Sequence, residues 1–146
     1  MKKAKIWYVI ADGGKARFVE RDEGGHYRTV VSFVSTEMRS RSSDIGRDRP
    51  ARAQESATAT RHAIEPKRDL KEAAEEDFVK LVADELDAGF KRKQFDKLVL
   101  VAPPKALSEL KNSLNKPLGK LVVDDLQKDL TNVPDHDLTG HLAPQR

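Results

Sequence analysis

The stretch that most restricts the fold of this 146-residue chain is the apolar run Leu98–Val101, which ends at Ala102-Pro103-Pro104. A continuous apolar run of this length is typical of a central strand that is covered on both faces of its sheet. The two prolines end the strand, because neither can donate a hydrogen bond to a neighbouring strand. A strand buried on both faces needs a layer packed on each side, so the sequence predicts an α/β domain.

Helical patterns flank this strand on both sides. Before it, apolar residues recur at three- and four-residue spacing from just after Pro66 to about residue 93, which predicts one long amphipathic helix. After it, Leu107, Leu110 and Leu114 mark a second helix. Central strands that are reached through helical crossovers are a feature of layered α/β domains.

Three further strands are predicted in the N-terminal part of the chain, over residues 4–11, Lys15–Asp22 and Tyr27–Thr36. They are separated by the turns Asp12-Gly13-Gly14 and Glu23-Gly24-Gly25, whose glycines permit tight hairpins. Two tight hairpins in succession make an antiparallel meander, so the first three strands are predicted to be neighbours.

A last strand from Leu121 to about Gln127 and a short helix from Pro134 to about Leu142 complete the order βββ-αβαβα. This order predicts a single three-layer α/β domain over residues 1–146, with a mixed five-stranded sheet. It is the element order of the ribonuclease H-like architecture.

Residues 39–66 differ in composition from the rest of the chain and contain no aromatic residue and no lysine. A segment rich in Ser, Thr, Ala, Arg and Asp cannot bury enough apolar area to order itself, so a long flexible loop is predicted after the third strand. Arginine suits bidentate contacts to phosphate. The basic residues of the segment are Arg39, Arg41, Arg47, Arg49, Arg52 and Arg61.

The overall composition excludes several classes of protein. The chain has no cysteine, which removes disulfide frameworks and thiolate metal sites. The basic start Met1–Lys5 precedes an apolar stretch that is shorter than the usual core of a secretory signal, and no run approaches the roughly 20 residues of a membrane span. A cytoplasmic, soluble protein is expected. A net charge of +3, from 27 basic and 24 acidic residues, is too mild to imply nucleic-acid binding by itself.

Carboxylates at strand ends raise the alternative of a metal-dependent nuclease, because such enzymes need acids that converge on two metal ions. Asp12 follows the first strand, and Asp124 and Asp125 lie in the last, but Ala102-Pro103-Pro104 occupies the position where a third acid is needed. The simpler interpretation of Asp12 is a hairpin residue. His136 and His141 are five residues apart and do not share a helical face, so neither a metal nor another cofactor is predicted.

The carboxyl end of the central strand is a second candidate site. Ligands of open α/β sheets bind at this edge, which predicts a strand-end site formed by Asp12, Pro103 and Lys105. A plain strand-to-helix turn is the alternative. Ser56 and Ser108 have no nearby histidine with a recognisable orienting partner, so no catalytic residue is predicted.

Several motifs occur in order along the chain: Ala11–Arg17, the pairs Gly46-Arg47 and Arg61-His62, the run Leu98–Pro104 with Leu107 and Leu110, and the closing Lys128–Thr131. Together they resemble the bacterial family named "protein required for attachment to host cells". The family is similar in fold to the middle domain of archaeo-eukaryotic peptide-chain release factors, whose loop after the third strand carries a Gly-Gly-Gln tip. By position that loop is residues 39–66 here, but the chain contains no Gly-Gly-Gln, so peptidyl-tRNA hydrolysis by that mechanism is not expected.

Two classes of function follow from the residues and the resemblance together. The first is an RNA- or ribosome-binding module, in which Gly46 allows close backbone approach and the neighbouring side chains contact phosphate. The second is a factor for attachment to host cells that acts through protein partners, with direct adhesion disfavoured by the missing signal segment. The candidate RNA-binding residues are Gly46, Arg47, Arg49, Arg52, Arg61 and His62.

Overall fold

The computed structural model of the chain describes residues 4–35 and 70–142, which are built around one five-stranded sheet. The order β3-β2-β1-β4-β5 puts the first and fourth strands side by side in its middle. The pairs β1–β2 and β2–β3 are antiparallel, whereas β1–β4 and β4–β5 are parallel. The predicted mixed five-stranded sheet is therefore confirmed. The strands are β1 (Ile6–Ala11), β2 (Lys15–Arg21), β3 (Tyr27–Val34), β4 (Lys97–Ala102) and β5 (Val122–Gln127).

Helices connect the parallel strands, as the periodicity predicts. The long helix α1 spans Leu70–Lys91 and leads into β4, and α2 spans Pro104–Ser113 immediately after β4. A one-turn helix, α3 (Lys116–Gly119), precedes β5 and was not predicted. The predicted last helix is a 3-10 helix, Asp135–Gly140, which is too short to show a clear apolar period.

One face of the sheet packs against α1 and α2. Because side chains alternate along a strand, Trp7, Val9 and Ala11 of β1 all point to this face and are buried. Gly89 lets α1 approach closely, since a Cβ atom there would lie 3.3 Å from the rings of both Trp7 and Phe95. The helical residues that complete this core are Phe78, Val79, Val82, Leu86, Leu107 and Leu110.

The opposite face of the sheet is covered by the C-terminal segment, residues 128–142. Tyr8 and Ile10 of β1 and Val99 and Val101 of β4 point to this face and are buried. They pack against Leu130, Leu138 and Leu142 of the C-terminal segment. The central strands β1 and β4 are therefore covered on both faces, which confirms the interpretation of the Leu98–Val101 run. None of the helices in the described ranges combines the length and the apolar character that crossing a membrane would require.

Candidate functional site

The strands β1, β3, β4 and β5 all end at the same edge of the sheet. Ile10 pairs with Val101 and Ala102 pairs with Gln127, which aligns the ends of β1, β4 and β5. We call this edge the strand-end surface. It comprises the β1–β2 turn (Asp12–Lys15), the first turns of α1 and α2, and the nearby residues Thr131 and Asn132. Two of the predicted strand-end residues, Asp12 and Pro103, directly follow β1 and β4 there, and Lys105 lies in the first turn of α2.

Asp12 uses both carboxylate oxygens in contacts within the chain. Its Oδ1 accepts hydrogen bonds from the backbone N–H groups of Gly14, at 2.8 Å, and Lys15, at 2.7 Å. Its Oδ2 lies 3.1 Å from the hydroxyl of Thr131, which is also 2.8 Å from Asp129. The carboxylate thus fixes the β1–β2 turn and ties it to the C-terminal segment. The Lys15 ammonium adds a second tie by donating to the side-chain oxygen of Asn132.

Lys105 is the basic residue of α2's first turn, and carboxylates surround it. Its ammonium group lies 3.3 Å from Glu72 of α1, and this hydrogen bond, with the charges of Glu109 and Glu75, raises the pKa of Lys105. Burial raises the pKa of Glu109, an effect that Lys105 opposes and three glutamates of α1 reinforce. Several carboxylates around one lysine give this part of the surface a negative potential, which does not suit phosphate.

The strand-end surface is also where the chain leaves and re-enters the described part of the structure. The N–H of Ser35, just after β3, donates to the carbonyl of Gly14 at 2.8 Å. On the other side of the same turn, a Cβ atom at Gly13 would lie 2.8 Å from the side chain of Glu75, in the second turn of α1. The two ends of the segment between Ser35 and Leu70 therefore flank one turn at one edge of the sheet.

The candidate RNA-binding residues fall within that segment. Gly46, Arg47, Arg49, Arg52, Arg61 and His62 all lie outside the described residues. The structure therefore places the attachment points of the predicted Arg-rich loop, and those points are close to the strand-end residues.

A second polar cluster on the other face of the sheet was not found from the sequence. The side chain of Arg17 is only 15% exposed and lies 3.2 Å from the carboxylate of Asp135. Its other terminal nitrogen donates to the carbonyl oxygens of Leu130, at 3.0 Å, and Val133. Burial lowers the pKa of Arg17, whereas the charge of Asp135 raises it. The two charged residues are 118 positions apart in the sequence, so no local pattern could have paired them.

Thr29 completes this cluster on the Asp135 side. Its N–H donates to Asp135 at 2.9 Å and its hydroxyl at 2.6 Å. A register shift between Phe18 and Val19 interrupts the pairing of β2 with β3 beside Thr29. Together Arg17, Thr29 and Asp135 attach the 3-10 helix to the sheet, so this cluster has a structural role. In residues 4–35 and 70–142, no three His, Asp or Glu side chains converge in a way that could hold a metal ion.

Comparison with known proteins gives one family and one fold. The model of a family described as "Protein required for attachment to host cells" matches residues 7–142. No curated protein matches the sequence significantly. Among solved structures, the chain is similar in fold to an archaeal translation termination factor, aRF1, with a TM-score of 0.50 and 13% sequence identity. The match covers 95% of this chain but only 35% of the termination factor, so the chain spans about a third of that protein.

Proposed function

We propose that this chain, which belongs to the family of proteins required for attachment to host cells, is a non-catalytic binding protein that contacts RNA, free or in the ribosome, through residues 39–66. One observation carries the proposal. All the basic residues of this segment are arginines, and the segment is inserted where its two ends flank a single turn of a rigid sheet.

The chemistry of the segment favours phosphate as its ligand. A guanidinium group can donate two parallel hydrogen bonds to a phosphate, which a lysine ammonium cannot do. Gly46 next to Arg47 would allow the backbone to approach the ligand closely, and His62 next to Arg61 offers a further donor. Arg47, Arg49, Arg52 and Arg61 would then supply four phosphate contacts, whose affinity falls as the salt concentration rises.

The contacts at the strand-end surface support two separate roles: the strand-end residues hold the fold, and residues 39–66 bind the ligand. Asp12 is engaged with the β1–β2 turn and Thr131, and Lys105 is engaged with Glu72. Phosphate would be repelled by the carboxylates around Lys105, so RNA contacts would be made by the arginines of residues 39–66 rather than by the strand-end surface itself. Asp12, Pro103 and Lys105 are in this view positioning residues.

The similarity to a termination factor favours the ribosome as the source of the RNA. The solved structure is described as a translation termination factor, and its similarity to this chain is one of fold. The chain has no Gly-Gly-Gln sequence, so we propose binding without peptidyl-tRNA hydrolysis. Binding to ribosomes also implies a cytoplasmic location.

Replacing Arg47, Arg49, Arg52 and Arg61 with alanine tests this proposal. Because four phosphate contacts disappear, the slope of log affinity against log salt concentration should fall by about 3 for single-stranded RNA. Binding to a labelled RNA by fluorescence anisotropy and co-sedimentation with ribosomes measure the effect, and thermal unfolding checks the fold. The matched control replaces the same four arginines with lysine, which should keep the salt slope but weaken binding. Equal RNA binding by the alanine variant and the unmodified chain would contradict the proposal.

An attachment factor that acts through protein partners is the second candidate function, because attachment is what the family description names. Cross-linking in living cells followed by identification of the bound molecules separates the two candidates. Recovery of RNA that is lost in the alanine variant supports the first, and recovery of one protein partner without RNA supports the second. Detection of the chain only in the cytosol would exclude direct contact with a host cell.

A further inference from the structure

The amino ends of the parallel strands form the edge of the sheet opposite the strand-end surface. The helix α1 runs between the two edges, and its 22 residues correspond to roughly 33 Å. Its last turn lies beside the start of β4, and α3 lies beside the start of β5. We call the exposed basic side chains at the end of α1, the start of β4 and in or next to α3 the basic pole. They are Lys91, Arg92, Lys93, Lys97, Lys116 and Lys120, and all six are exposed.

Backbone contacts bring the basic residues of this edge together. The N–H of Lys97 donates to the carbonyl of Lys5 at 3.1 Å, and the N–H of Leu98 donates to that of Leu121 at 2.9 Å. Asp87 binds both the ammonium of Lys91 and the side-chain amide of Asn115, each at 3.0 Å, which joins the end of α1 to the start of α3. The basic pole is thus formed by three separate elements that meet at one edge of the sheet.

The positive charge of the basic pole contrasts with the net charge of the described ranges as a whole. The described ranges carry 16 basic and 18 acidic side chains, so their net charge is negative. Six of the 16 basic residues nevertheless belong to the basic pole. Two carboxylates at this edge are already engaged, Asp87 with Lys91 and Asn115, and Asp96 with the backbone N–H of Lys5 at 2.8 Å.

Lys93 adds an independent observation, because it occupies a position that favours glycine. Its φ is 60°, in the left-handed region where a Cβ atom is sterically unfavourable. The N–H of Lys93 donates to the carbonyl of Phe90 and the N–H of Gln94 to that of Gly89, both at 2.9 Å. This is the Schellman arrangement at a helix end, whose left-handed residue is usually glycine. A strained residue that places a cation in a basic surface points to a function for that cation.

We infer that the basic pole is a second surface for RNA, which binds the phosphate backbone independently of residues 39–66. Phosphates repeat along a strand, and several cations on neighbouring elements can contact such a repeat without reading the base sequence. The choice of RNA as the polyanion rests on the proposed function, whereas the surface itself rests on the geometry of α1, β4 and α3.

Two matched double variants of the full chain test the inference. Lys97→Ala/Lys120→Ala removes two charges from the basic pole, and Lys71→Ala/Lys80→Ala removes two exposed charges of α1 outside it. With a labelled RNA duplex as the probe, the first should weaken binding roughly tenfold and lower the salt slope by about 1.8, whereas the second should change neither. Equal binding by the two double variants would overturn the inference.

The variant Lys93→Gly should change stability and RNA affinity in opposite directions, which a purely structural role of Lys93 cannot explain. Glycine relieves the left-handed strain, so the melting temperature should rise by a few degrees while RNA affinity falls. A rise in melting temperature with unchanged RNA affinity would overturn the inference. So would a basic-pole variant that loses binding to phosphatidylserine vesicles while keeping RNA binding, because the surface would then serve a membrane.

The same measurements separate this inference from the proposed function. Each double variant is also made in the background in which the four arginines of the segment are alanine. If only the segment variant loses RNA binding, the proposed function stands and the inference fails. If only the basic-pole variant loses it, the inference stands and the proposed function fails.

Discussion

The Asp12 carboxylate joins the β1–β2 turn to the C-terminal segment. A carboxylate two residues before Gly14 can accept the turn's N–H groups, and this is the Asx-turn chemistry expected of an Asp-Gly-Gly hairpin. The contact with Thr131 spans 119 positions of sequence and could not be predicted from the turn itself. Asp12 therefore acts on the chain's own backbone and side chains.

Asp12→Ala and Asp12→Asn should separate this role from a chemical one. Alanine leaves two backbone N–H groups without their acceptor, so the free energy of unfolding should fall by about 1–3 kcal/mol. Asparagine keeps an oxygen at the Oδ1 position, and its loss should stay below about 1 kcal/mol. Urea unfolding measures both values. RNA binding of folded Asp12→Asn should match that of the unmodified chain, and a specific loss of binding would show that the carboxylate contacts the ligand.

The cluster of Arg17, Thr29 and Asp135 also uses a carboxylate to join parts of the chain that are distant in the sequence, here whole elements. The 3-10 helix Asp135–Gly140 has too few residues to be stable alone, so it depends on tertiary contacts. Leu138 supplies a fully buried apolar contact to the sheet, and Asp135 supplies the polar one. The 3-10 helix is thus held by one apolar and one charged attachment.

Acid should weaken this attachment. Burial acts to raise the pKa of Asp135, but the hydrogen bonds from Thr29 and the charge of Arg17 hold it below its usual value. A carboxyl with a lowered pKa stabilises the folded state above its unfolded pKa, near 4, and that contribution is lost as the pH falls through the lower folded value. Asp135→Asn should therefore cost about 1 kcal/mol at pH 7 and progressively less as the pH falls below the unfolded pKa.

Urea unfolding between pH 7 and pH 2.5 measures this difference. The matched control is Asp137→Asn, in the same 3-10 helix, whose side chain is 57% exposed and lies 3.7 Å from His136. Its effect should be small throughout the range. A loss for Asp135→Asn that stays constant with pH would show that the shape of the side chain, rather than its charge, stabilises the element.

The elements differ in how well the sequence predicts them, for a physical reason. The long helix α1 and the strand β4 have strong local patterns, periodic in one and continuously apolar in the other, and both were predicted to within a few residues. The helix α3 has only four residues, and its start is fixed by a cap. The side-chain oxygen of Asn115 accepts a hydrogen bond from the N–H of Leu118 at 3.0 Å. A turn this short has no period to detect.

At the scale of the whole molecule, two clusters of opposite charge lie at opposite edges of the sheet. The strand-end surface has carboxylates around Lys105, and the opposite edge carries the basic pole. The overall charge of the sequence hides this division, because it sums the two edges and the Arg-rich segment. The position of Asp12 and Pro103 at one edge could be predicted from strand order. The basic pole could not, because it needs the register of β1, β4 and β5.

The geometry of the strand-end surface leads to a prediction for the segment between Ser35 and Leu70. Both of its ends flank the β1–β2 turn, so the described elements should fold with a much shorter connection. Replacing residues 39–66 with four Gly and Ser residues leaves ten residues in the connection, which can span at most about 33 Å. Because a shorter loop loses less entropy when it closes, the free energy of unfolding should rise by about 1 kcal/mol.

Urea unfolding and RNA binding of the shortened chain check both parts of this expectation. Its RNA affinity should fall to that of the variant with four alanines, with the remaining binding supplied by the basic pole. An unfolding free energy lower by more than about 2 kcal/mol would show that the replaced residues pack against the sheet, since loop entropy alone acts in the opposite direction. A shortened chain that is stable and still binds RNA at full strength would remove residues 39–66 from the binding surface and leave the basic pole as the remaining candidate.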